Sequence, residues 1–222
     1  MNHRAFLLLA LSIATSVSAE DVYQGVPDPA TFQLLPPHCQ ARFALRAEAT
    51  SIGVTPDQYP FDKWKKSIGQ PAVHIHHHCA GLAMLSRLER GKPVYLSPDR
   101  TMSRDAALGS AEHQFKYQLG GSQWSKNNLW LKAEAEWGLA RVERLRGNNQ
   151  GAVAYFNQAI TTFPQFWPPS TDLAKLFAEM SLYDEAIAAL DAAVATNPKV
   201  AYLKKLRSEM QQQRQTSNAV TD

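Results

Sequence analysis

The sequence predicts an all-α fold in which helix pairs stack into an array, and three observations predict it. The first is a repeat: residues of one kind recur at a fixed offset of 34, pairing Leu139 with Leu173, Ala140 with Ala174, Ala152 with Ala186, Phe156 with Leu190, Ala159 with Ala193 and Pro164 with Pro198. The second is the size pattern within that repeat. Alanines at 140, 152 and 159 let two helix backbones approach, Leu139 and Phe156 fill the space beside them, and Pro164 and Pro198 stop the second helix of each pair. The third is that the flanks keep helical spacing, with Leu82, Leu85 and Leu88 upstream and Leu203, Leu206 and Met210 downstream.

Residues 1–19, MNHRAFLLLALSIATSVSA, place a short basic start before an apolar run and end on the small-x-small pattern of Val17-Ser18-Ala19. This is the form of a signal peptide, so the expectation is an exported chain beginning near Glu20, in the periplasm or outside the cell. No other stretch approaches the roughly 18–20 apolar residues of a membrane span, so no membrane insertion is expected after cleavage. Losing Arg4 takes the formal charge of +3 to about +2. No run of like charge stands out, and neither nucleic acid nor an anionic membrane is implied.

Residues 20–72 form a proline-rich segment with scattered aromatics, expected to wrap over the array and to carry short helices through CQARFALRAEA and FDKWKKSI. Residues 73–131 read as a degenerate helical unit: CAGLAMLSRLERG and RDAALGSAEHQFKYQLGG are its helices, and KPVYLSPDRTMS between them is longer than a usual repeat turn. Residues 132–198 hold the two clear repeats, with Gly147 in RGNNQ at the turn inside the first. Residues 199–222 supply a capping helix and then a tail, QTSNAVTD, expected to be disordered.

The 34-residue pattern resembles the tetratricopeptide repeat. Glu136 and Ser170 stand where that family usually has tryptophan, and Glu143 where it usually has tyrosine, which leaves the packing alanines intact. The resemblance implies a concave surface lined by the first helix of each pair, here Glu134, Trp137, Arg141 and Arg144, then Pro168, Thr171, Lys175 and Ala178. An aromatic beside three cations suits an extended peptide or an acidic segment. Trp137 packed against the upstream helices is the alternative. The lysine and asparagine with which many such arrays clamp a terminal carboxylate are replaced by Trp137 and Arg141, so that specificity does not carry over. The order LPPHC, HHHCAGL, a helix pair and two repeats joined by FPQFWPPSTDLA is also similar to a family of exported bacterial tetratricopeptide proteins.

The only cysteines are Cys39 and Cys79. In an oxidising compartment an even count favours a disulfide, with two buried thiols as the alternative. Closing a loop of that length stabilises by roughly 3–4 kcal/mol in the chain-entropy account.

The stretch His74-Ile75-His76-His77-His78-Cys79 packs four imidazoles and a thiol into six residues. As a helix it puts His74, His77 and His78 on one side, and the disulfide would draw His38 towards them, giving a candidate zinc or copper cluster of His38, His74, His77 and His78. The alternative is that one or two of these rings make buried hydrogen bonds while the rest face solvent. No HExxH, GxSxG or glycine-rich phosphate loop is present. The sequence therefore predicts no enzyme and no cofactor, but a periplasmic adaptor or scaffold binding a protein partner in envelope assembly or secretion. A histidine-cluster metal-binding protein is the alternative.

Overall fold

The computed structural model describes residues 27–97 and 100–221. The signal-peptide pattern and the expected cleavage point near Glu20 lie outside the described residues. The fold is an all-α tetratricopeptide array, as the repeat predicts, with a proline-rich N-terminal segment packed onto its first helices.

That segment contributes α1 (Pro29–Leu34), α2 (Pro37–Ala44), a 3-10 helix at Ala47–Ile52, α3 (Phe61–Ile68) and a 3-10 helix at Gln70–Val73. Proline sits in the first turn of both α1 and α2, where its fixed φ suits a helix start and its missing amide costs nothing. Asp28 caps α1 by accepting from the Thr31 amide at 3.0 Å, and its other oxygen reaches Arg87 on the first core helix.

The upstream unit is α4 (Ile75–Glu89) and α5 (Arg104–Gly121). The long connection between them folds into a two-stranded antiparallel hairpin, β1 (Tyr95–Ser97) and β2 (Arg100–Thr101), which a helical reading of the sequence did not foresee. The two repeats follow as α6 (Leu129–Leu145) with α7 (Asn149–Thr162), and α8 (Pro168–Glu179) with α9 (Tyr183–Thr196). The last helix, α10, runs from Ala201 to Thr221. It continues through residues 215–221, expected to be disordered, and ahead of them Arg207 and Arg214 pair with Asp191 and Asp184 of α9.

Consecutive helices pack in chain order from α4 to α10. Ala140, Ala152, Phe156 and Ala159 are fully buried in the first repeat, and Ala174, Ala186 and Leu190 in the second. The offset of 34 is therefore one packing arrangement used twice. Even the turns agree. Gly147 has φ 78° and Ser181, 34 residues on, has φ 62°. Each closes its helix with the same pair of bonds, Gly147 N to Arg144 O and Asn148 N to Glu143 O in one, Ser181 N to Ala178 O and Leu182 N to Phe177 O in the other.

The upstream unit shares its core with Leu131, Ala135, Leu139 and Val142 of α6, and one ring stands at the centre of that junction. Phe115 of α5 is fully buried between Gly81 of α4 and Gly138 of α6. A Cβ on Gly81 would lie 2.8 Å from the ring, and one on Gly138 2.5 Å from it. Only glycine at both positions admits the phenyl group where α4, α5 and α6 meet.

Candidate functional site

Two sets of side chains carry the chemistry that the sequence pointed to, one along the concave row of first helices and one beneath the N-terminal segment.

On the concave row the residues are tied to one another. Arg141 of α6 donates from Nε and Nη2 to the two carboxylate oxygens of Glu89 on α4, at 2.8 and 2.5 Å. Its guanidinium also lies 4.4 Å from the centroid of the Trp137 ring. Trp137 Nε1 donates to Asp172 of α8 at 2.9 Å, and its ring meets that of Phe166 edge-on. Arg144 pairs with Glu179 of α8. Trp137, Arg141 and Arg144 thus stitch α4, α6 and α8 together. Thr171 is buried and returns its hydroxyl to Pro168 O, so it presents nothing to a partner.

Further along, the row opens. Lys175 is 39% exposed, 3.7 Å from Asp172, and its ammonium lies 6.0 Å from the Tyr202 ring of α10. Tyr202 is 43% exposed and packs on Trp167. The joint FPQFWPP thus places Phe166 against Trp137 and Trp167 against Tyr202, so its rings pack between consecutive units. A cleft of about 380 Å³ adjoins Trp137 and Arg141, walled on the other side by Leu34–Pro36 and by Leu82 and Glu89.

Beneath the N-terminal segment, Cys39 of α2 and Cys79 of α4 form the disulfide. It brings His38 to His78, and both rings meet Glu134 of α6. His78 Nε2 donates to Glu134 Oε2 at 2.8 Å, and His38 Nε2 lies 3.0 Å from the same oxygen. Trp64 and Trp130 flank His38, and Phe115 stands edge-on to His78. Burial works against the Glu134 charge, yet His38 and His78 hold its carboxyl well below the usual carboxylate range. Burial lowers the basicity of His78, against the pull of Glu134.

Two sequence readings are corrected here. Glu134 does not face an open groove, because α2 covers the start of α6 and makes this carboxylate an interior counter-charge. The four imidazoles proposed as one cluster also separate. His77 Nδ1 lies 2.6 Å from Gln114 Oε1 of α5, and His74 packs on Tyr117 and beside Gly121. Only His38 and His78 converge. His76 stands exposed at the helix start with its pKa lowered to about 4, first by partial burial and then by His77 and Arg42.

The sequence missed Glu89, Asp172 and Glu179, the acids that engage the concave cations. One signal was available for two of them: Asp172 follows Thr171 and Glu179 follows Ala178 on the helix already placed in the groove.

No helix among the described residues is long and apolar enough to cross a membrane. No curated protein matches the chain. Residues 144–210 match the tetratricopeptide-repeat family model, from the end of α6 through α7, α8 and α9 into α10. The match supports a tetratricopeptide protein, and with it a protein-interaction scaffold of a generally non-catalytic kind.

Proposed function

We propose that the protein is an exported adaptor of the bacterial envelope that holds a protein partner on the concave face of its array during envelope assembly or secretion. The observation that carries this reading is the continuous row of first helices α6, α8 and α10, with Lys175 and Tyr202 accessible on it, Trp167 half-buried against Tyr202, and the neighbouring residues tied into the scaffold. A rigid surface of aromatic and cationic groups binds an extended segment with little ordering cost. Export is supported by the pattern of residues 1–19 and by the disulfide, a bond that persists in oxidising compartments.

Among the groove residues, Lys175 would make direct contact, with Arg144 at its edge. Trp137 and Arg141 would shape the adjoining cleft. A photoreactive residue at Lys175 should yield discrete protein adducts in intact cells, and the same probe at Ala188, exposed on α9, should not. Equal labelling from both faces would end the groove reading. A native chain that retains Met1 would end the exported one.

A further inference from the structure

We propose that His38, His78 and Glu134 form a binding site for one divalent transition-metal cation of the zinc class, fastening α2 to α4 and α6. This inference is independent of the adaptor reading.

The donor set is the first argument. His38, Cys39 and His78 place their ligand atoms within 4.8 Å of one another, but Cys39 is consumed by its bond to Cys79, so its sulfur is no thiolate. Glu134 supplies the third donor instead. Its Oε2 lies 2.8 Å from His78 Nε2 and 3.0 Å from His38 Nε2. Around a tetrahedral cation with bonds of roughly 2.0–2.2 Å, adjacent ligand atoms stand about 3.3–3.6 Å apart, so the three donors would spread by roughly half an ångström to admit it. Two imidazoles and a carboxylate are a donor set that such cations take.

The second argument is what the same atoms lack as a hydrogen-bond network. The His38, His78 and Glu134 side chains are 3%, 0% and 6% exposed. His38 Nε2 makes no hydrogen bond despite its nearness to Glu134, and His78 Nδ1 makes none either. Buried polar atoms are ordinarily satisfied, and an exception calls for an explanation. A cation between the two Nε2 atoms and Oε2 engages the orphaned His38 nitrogen. It also adds positive charge beside a carboxylate that lies in the interior. The walls are Trp64, Trp130 and Phe115, which exclude water and set the ring planes.

The test uses untagged full-length mature protein with its disulfide intact, titrated with Zn²⁺ against a chromophoric chelator and with Co²⁺ by absorption. The expected result is one equivalent bound, weakened at least tenfold in His78→Gln and in Glu134→Gln and unchanged in His74→Gln. No binding by the wild type, or wild-type affinity in His78→Gln and Glu134→Gln, overturns the site. Loss in His74→Gln or His76→Gln instead would place the ion on the outer imidazoles and also overturn it. A readout that needs no variant is tryptophan emission. Paramagnetic Cu²⁺ bound here must quench Trp64 and Trp130, and saturation with unchanged emission would refute the assignment.

Discussion

The part of the molecule from Pro29 to Gly121, which begins with helices of 6–8 residues, and the part from Leu129 to Thr221, whose helices run to 12–21, are held together in different ways. The repeats rely on shape: alanines at the crossings of α6 with α7 and of α8 with α9, and one large apolar residue beside each. The N-terminal part adds particular bonds to an apolar core, which includes Phe32, Ile68, Ile75 and Leu85. Those bonds are the disulfide, the ion pair of Asp28 with Arg87, the contacts of His38 and His78 with Glu134, and Gln118 Nε2 donating to Pro71 O at 3.3 Å. A repeat meets only its sequence neighbours, so a short local pattern is enough to specify it. A wrapping segment meets residues far along the chain and must be specified contact by contact.

Phe115 is where the two parts meet, and removing it tests the contrast most severely. Phe115→Ala deletes a fully buried ring lodged between Gly81 and Gly138, a loss of about 3–5 kcal/mol with the cavity included. Because the ring joins units rather than completing either one, thermal unfolding should change from one transition to two, the repeats melting last. A single transition with a shift of only a degree or two would show that the ring is not the joint.

The disulfide comes next. Cys39→Ser with Cys79→Ser should cost roughly 3–4 kcal/mol by the chain-entropy account. Limited proteolysis should then cut within residues 27–70 well before the repeats are attacked. Cleavage spread evenly over both parts would mean that α1 to α3 are held by packing alone.

The same contrast decides what the sequence disclosed. The repeats were legible down to single residues, because Ala140, Ala152 and Ala159 encode their packing in their spacing. The disulfide followed from a cysteine count and the export pattern. The hairpin at Tyr95–Thr101 was illegible because its two strands are three and two residues long, too short for an alternating pattern. Glu134 was misread for a different reason. Its helix position faces open solvent in a bare array, and only α2, almost a hundred residues earlier, turns that face into an interior. The arginines were misread in a similar way: Arg141 and Arg144 have the charge of a binding groove, but their partners Glu89 and Glu179 lie on neighbouring first helices. Local spacing tells which face a residue occupies and is silent about what covers that face.

Asp28 gives the mildest test of how the N-terminal segment is fastened. Its carboxylate caps α1 through Thr31 and reaches Arg87 across to α4. Burial opposes its charge, but the Thr31 bonds and then Arg87 and Arg90 prevail and hold its pKa below the ordinary 3.8. A carboxyl whose pKa is lower in the folded state contributes stability that is complete above its unfolded pKa and is lost as pH falls through the folded value. Asp28→Ala should therefore cost about 1 kcal/mol at neutral pH, the usual worth of a helix cap. The difference from wild type should shrink below about pH 4, where the carboxyl of the unfolded chain begins to protonate, and vanish once pH falls below the lower pKa of the folded state. Since the side chain is 39% exposed, solvent screens the Arg87 pair, and most of the loss should come from the cap. Asp28→Asn, which keeps a capping oxygen and discards the charge, should recover most of it at neutral pH. A loss in Asp28→Asn as large as in Asp28→Ala would instead make the ion pair with Arg87 the principal fastening of α1.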